Sequence, residues 1–103
     1  MLQGTLDLIV LSTLQKVRRQ DALAIAARLQ QASPATLPFQ QSTLYSALVR
    51  LEQQGRIKGT WGKTEANRET KFYAITTDGE KVLTEEIHRW KLYSGVIANL
   101  LSD

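Results

Sequence analysis

After Gly55 the apolar residues of this 103-residue chain stop recurring at helical spacing and begin to alternate. A single chain segment cannot satisfy both periods, because side chains one turn apart share a helix face whereas side chains two apart share a strand face. The switch therefore divides the sequence into a helical front and a hairpin, and any fold must place that hairpin directly after a helix. Ahead of it, Leu6, Ile9, Val10, Thr13 and Leu14 predict an amphipathic helix ending near Gln15. Arg18 to Gln20 break the pattern. Asp21 is then a good N-cap for a second helix carrying Leu23, Ile25, Ala26 and Leu29 to about Gln31. Ser33, Pro34 and Pro38 make Ala32 to Pro38 a loop, since proline biases the residue before it away from the helical region. A third helix is predicted from about Gln41, with Leu44, Leu48 and Leu51 on one face and polar residues on the other. Gly55 suits its left-handed C-terminal cap.

Beyond Gly55, Ile57, Gly59 and Trp61 alternate with Lys58, Thr60 and Gly62. After a polar stretch from Lys63 to Glu69 the alternation resumes through Thr70, Phe72, Ala74 and Thr76, which predicts two short strands around a projecting, mobile tip. Thr76 or Thr77 opens a last helix, Thr77 having Glu80 at capping-box spacing. That helix carries Val82, Leu83, Ile87, Trp90, Tyr93, Val96, Ile97, Leu100 and Leu101. So wide an apolar stripe exceeds what one small domain can cover, and a second copy of the same helix is the economical partner. The expected dimer interface is Leu83, Ile87, Trp90, Tyr93, Val96, Ile97, Leu100 and Leu101.

Three helices followed by a two-stranded wing form a mainly α (α+β) winged helix-turn-helix, here with a long C-terminal dimerisation helix. Residues 1–76 are expected to be the DNA-binding domain and 77–103 the dimerisation helix of one compact unit. In such folds the third helix enters the major groove and the wing follows the backbone. Charge agrees with that orientation. Of the net +3, residues 1–39 carry +2 and residues 40–71 carry +3, whereas the remainder carries −2, the wrong sign for a polyanion. Gln40, Gln41, Ser42, Thr43, Tyr45 and Ser46 offer donors and acceptors at the helix start, and either glutamine can pair with adenine. Arg50 lies further along, and Lys63, Asn67, Arg68 and Lys71 supply phosphate-binding chemistry on the wing. Each has a plainer reading: Gln40 and Gln41 as solvated residues, Tyr45 as a rim residue of the core, Arg50 as a helix-surface cation or an ion-pair partner.

Other classes fit poorly. The chain has one histidine, His88, and no cysteine, no glycine-rich phosphate loop, and no adjacent carboxylates besides the helix pair Glu85 and Glu86. An enzyme, a metal centre and a bound cofactor are therefore not expected. Leu6 to Leu14, interrupted by Asp7, is too short to cross a bilayer and has no basic region before it, so a cytoplasmic protein without membrane contact is expected.

The run from Ser42-Thr43-Leu44-Tyr45 through Leu51-Glu52-Gln53-Gln54-Gly55, with Ile57 and Trp61-Gly62, resembles the PadR family of transcriptional regulators. So do Arg68-Glu69-Thr70-Lys71-Phe72-Tyr73, the helix entry from Thr76 to Gly79, and Gly4-Thr5-Leu6-Asp7-Leu8. The resemblance implies a winged-helix homodimer that binds an inverted-repeat operator in double-stranded DNA, usually as a repressor. Trp90 is similar to a tryptophan that in some multidrug-responsive relatives stacks on planar aromatic compounds at the dimer centre, so it is a candidate effector contact beside its plainer role as an interface residue. The chain departs from the family pattern at Ser42 and Ser46, where a glycine and a proline are common. It departs also at Asp21-Ala22-Leu23, in place of His-Gly-Tyr, and in a wing thinned to Arg68 and Lys71 around Glu69. These departures keep a second class open, a winged helix turned protein-interaction module with weak or no DNA binding.

Overall fold

A computed structural model describes residues 3–32 and 40–102, with the side chain of Gln3 excepted. Helix α1 (Gln3–Lys16) is followed by a two-residue strand β1 (Gln20–Asp21) and helix α2 (Ala22–Ala32). Helix α3 (Gln41–Gln53), strands β2 (Ile57–Lys63) and β3 (Glu69–Ile75), and helix α4 (Thr77–Leu101) complete the chain. All but Ala32 of the expected proline-containing loop lies outside the described residues, and Ala32 is the last residue of α2.

The core is built as the helical spacing predicts. Leu6, Val10, Leu11 and Leu14 of α1 meet Ile25 and Leu29 of α2 and Leu44, Leu48 and Leu51 of α3, all buried. Ile57 and Tyr73 close it from the hairpin and Leu83 from α4. Helix α1 packs against α2, α3, α4 and β3, so Leu8 and Ile9 are partly buried as well. Leu23, expected on the apolar side of α2, is instead 49% exposed. The burying face of that helix is Ala22, Ile25 and Leu29, spaced three and four apart.

The strand β1 is a correction to the two-stranded expectation. It pairs antiparallel with β3, Gln20 opposite Tyr73 and Asp21 opposite Phe72, giving the order β1-β3-β2. No alternating pattern announces two polar residues as a strand. The reason lies in the helix ends they serve. The Gln20 side-chain amide nitrogen donates to the carbonyls of Thr13 and Val17 at 2.9 Å each, tying β1 to the C-terminal end of α1, where Thr13 O also accepts from the Val17 amide. Asp21 caps α2 as expected, its Oδ1 accepting from the Ala24 amide at 3.0 Å.

Two junctions fix the wing. At the end of α3, Gly55 has φ +74°, its amide donating to Glu52 O and that of Arg56 to Leu51 O, the paired bonds of a left-handed helix stop. At the start of α4 the cap is Thr76, not Thr77: the Thr76 hydroxyl accepts from the Gly79 amide and donates to Gly55 O at 2.7 Å. The Thr77–Glu80 capping box is therefore not used, because Thr76 is the residue that joins both helix ends. Gly79 is the third helical residue and lies so close to the Arg56 carbonyl that a Cβ there would stand 2.0 Å from its oxygen.

Candidate nucleic-acid interface

The buried leucines of α3 face α1 and α2, and this leaves Gln41, Ser42, Thr43, Tyr45, Ser46, Val49 and Gln53 exposed. Gln40 is the N-cap, extended at φ −109° and ψ 153°, and its side chain makes no cap hydrogen bond; Gln40 and Gln41 are both exposed. No acidic residue lies in the first turn, so nothing opposes an anion at this positive end of the helix dipole. The Ser46 hydroxyl donates to the Ser42 carbonyl at 3.1 Å, so it faces outward only as an acceptor.

Three of the expected DNA-contacting cations are held by carboxylates. Arg50 makes a two-pronged contact with Asp7 of α1, its Nε lying 3.0 Å from Oδ2 while Nη2 meets Oδ1. The hydrogen bond to Asp7 raises the guanidinium pKa, against the smaller opposite effect of burial. Arg50 thus joins α1 to α3, the ion-pair role left open beside DNA contact. Lys71 donates to Glu52 Oε1 at 2.8 Å and lies 5.6 Å from the centre of the Tyr73 ring. The Glu52 hydrogen bond raises its pKa above the usual lysine value. Arg68 reaches from the wing to Asp21 Oδ2 at 3.3 Å, remaining more than half exposed. Tyr73 between these groups has its phenol pKa raised, chiefly by burial.

The tip is a tight structure. Thr64 and Arg68 close it (N to O, 2.9 Å), the Asn67 amide donates to Thr64 O, and the Arg68 amide to Thr64 Oγ1. Asn67 adopts φ 63°, a left-handed conformation that asparagine tolerates better than most residues, so turn geometry accounts for it directly. Its side chain and that of Lys63 are exposed at this end of the wing.

Sequence reasoning missed the partners on the opposite surface. Arg19 lies over the Phe72 ring at 3.7 Å, crossing Gly62, where a Cβ would come within 2.8 Å of the guanidinium. Gly59 similarly makes room for Lys71, whose Cε would stand 2.3 Å from a Cβ. The signal was present in the Gly59 and Gly62 alternation, but glycine in a strand does not say what crosses it. Trp61, opposite Lys71 in the ladder, is 69% exposed.

The dimer candidates split into two groups. Leu83 is corrected to a residue of the protomer's own core, and Ile87 packs partly against that core. Trp90, Tyr93, Val96, Ile97, Leu100 and Leu101 are exposed, as is every described residue from His88 onward. Trp90 and Ile87 border an open apolar cleft of about 730 Å³ between α1, α2 and α4, with Leu8, Ile9 and Leu29 on its walls.

Compared with known proteins, residues 10–85 match the transcriptional regulator PadR-like family. No curated protein matches the chain. Among solved structures, a transcriptional regulator from Clostridium thermocellum is 29% identical, with TM-score 0.84 over 96% of this chain and 92% of that one. A PadR family transcriptional regulator from Eggerthella lenta is also 29% identical, with TM-score 0.82 over 96% and 83%. A PadR-like transcriptional regulator from Bacillus cereus, 23% identical with TM-score 0.83 over 100% and 97%, shares the fold.

Proposed function

Because the chain belongs to the PadR-like family of transcriptional regulators and is a DNA-binding regulator rather than an enzyme, we propose that it acts in the cytoplasm as a homodimeric repressor on an inverted-repeat operator. The observation that carries this reading is the exposed polar face of α3 beside a wing held to the helix by the Lys71–Glu52 pair. Helix α3 enters the major groove, Gln40, Gln41, Ser42 and Thr43 meet base edges and phosphates, and Tyr45 reaches the backbone. Lys63, Asn67, Arg68 and Lys71 follow the flanking phosphates. Residues 1–76 carry this surface, and 77–103 place two copies of it on one duplex.

Footprinting and gel shift on the DNA upstream of its own gene test the proposal. A protected palindrome is expected, with affinity falling steeply as salt rises and with a shallower salt slope in Arg68→Ala and Lys71→Ala. The carboxylate pairing of Arg50, Arg68 and Lys71 favours the competing reading, a protein-interaction module. Absence of a retarded band at low salt would establish that alternative.

The cleft beside Trp90 supports an effector site for planar aromatic compounds, since its volume and apolar walls suit a drug-sized ligand. In a Trp61→Phe background Trp90 is the only indole, so its quenching by such compounds reports binding directly. A panel of planar drugs that leaves its emission unchanged would remove the effector from the proposal.

A further inference from the structure

The exposed face of α3 changes character beyond its first turn. Val49 stands there 53% exposed, one turn after Tyr45 and one turn before Gln53. A β-branched residue at a solvated helix position is a poorer helix former than alanine, and at 53% exposure Val49 gains little packing in the protomer to offset that. Tyr45, Ser46, Arg50 and Gln53 surround it in a shallow depression of about 440 Å³.

The neighbours restrict what this depression can recognise. Arg50, whose fork would match the two acceptors of guanine, is turned onto Asp7. The Ser46 hydroxyl gives its proton to the helix backbone. What projects between Tyr45 and the Gln53 amide one turn further on is a pair of methyl groups beside an aromatic ring. The one major-groove feature complementary to bare methyls is the C5-methyl of thymine, which no other standard base carries.

We propose that Val49 is a specificity-determining residue that reads a thymine in each operator half-site through its C5-methyl group. This rests on α3 being the helix that enters the major groove. Together with adenine pairing by Gln40 or Gln41, it makes the half-site rich in A·T pairs at the positions α3 covers.

Replacing operator thymines one at a time by deoxyuridine removes that methyl and nothing else. Wild type is expected to lose affinity about fourfold when the contacted thymine is replaced in one half-site, and about fifteenfold when it is replaced in both, the scale of one buried methyl per contact. Val49→Ala is expected to bind the thymine and uracil operators equally at that position, whereas Val49→Ile keeps the discrimination. Since Val49 is exposed, both variants should unfold at the wild-type temperature. If wild type binds the operator but no thymine separates it from Val49→Ala, the assignment of Val49 is overturned while DNA binding stands. If wild type binds no operator at all, both fall.

Discussion

Truncating Ile97 separates a helix that needs a second copy from one that is merely long. The stripe formed by Leu83, Ile87, Trp90, Tyr93, Ile97 and Leu101 follows spacings of three and four, and it begins inside the protomer's core. From His88 to Ser102 every described residue is exposed. Fourteen helical residues, about 21 Å at ~1.5 Å each, therefore extend past the body, and a solitary helix of that length is marginal in water. Burying an isoleucine completely is worth roughly 1.5–3 kcal/mol. Ile97 is 57% exposed, so a partner can supply about half of that per copy, and the two-fold doubles it to about 2–3 kcal/mol. At ~1.4 kcal/mol per decade, Ile97→Ala should weaken the dimer about 30- to 150-fold.

Sedimentation equilibrium over a concentration series measures this. Asn99→Ala is the control: Asn99 is exposed, but at 100° per residue it projects from the side of the helix opposite Ile97. Its dimer constant should stay within about threefold of wild type, the scale of a surface substitution. A wild-type protein that sediments as a monomer at every concentration would refute the reasoning. So would an unchanged constant for Ile97→Ala, or an equal loss in Asn99→Ala.

The remaining predictions concern the struts of the fold. Gly79→Ala puts a Cβ against the Arg56 carbonyl, a backbone atom that cannot swing aside, and should cost about 3 kcal/mol in urea denaturation. Gly55→Ala, forced to φ +74° in open space, should cost about 1–2 kcal/mol by the same measurement. Asp7→Asn removes the charged partner of half-buried Arg50 and should destabilise by about 1–3 kcal/mol, with Arg50→Ala adding little to it in a double-mutant cycle. Tyr73 and Lys71 both have folded pKa values above their unfolded ones, the first through burial and the second through Glu52. Their contribution is therefore intact below the unfolded values of about 10 and is lost as pH rises through the folded ones. Denaturation at pH 8 and pH 11 should show that loss, and Tyr73→Phe should reduce it.

The helices were legible because their burial is periodic: Leu44, Leu48 and Leu51 point one way whatever they pack against. Gly55 was legible because a helix followed at once by a strand needs a residue that accepts positive φ. The strand at Gln20 and Asp21 was not, since its reason is two helix ends that only the folded chain brings beside β3. Leu83 and Leu101 belong to one stripe, and spacing alone cannot show where along it the protomer's own core ends.

The cations show the same limit in a form that bears on function. A basic residue is visible in sequence as charge, but its partner lies 43 positions away for Arg50, 47 for Arg68 and 19 for Lys71. Those separations cross elements, so each pair ties one element to another: α3 to α1, the wing tip to the start of α2, β3 to the end of α3. A phosphate near Lys71 or Arg68 would compete with Glu52 or Asp21 for the same ammonium or guanidinium protons. Binding energy gained at the wing is then reduced by the pair it loosens, whereas Arg50, less exposed and bound through both prongs, stays with Asp7. In the proposed complex, base contacts from the uncharged face of α3 would carry no such cost, so sequence discrimination would fall to α3 and the wing would adjust affinity.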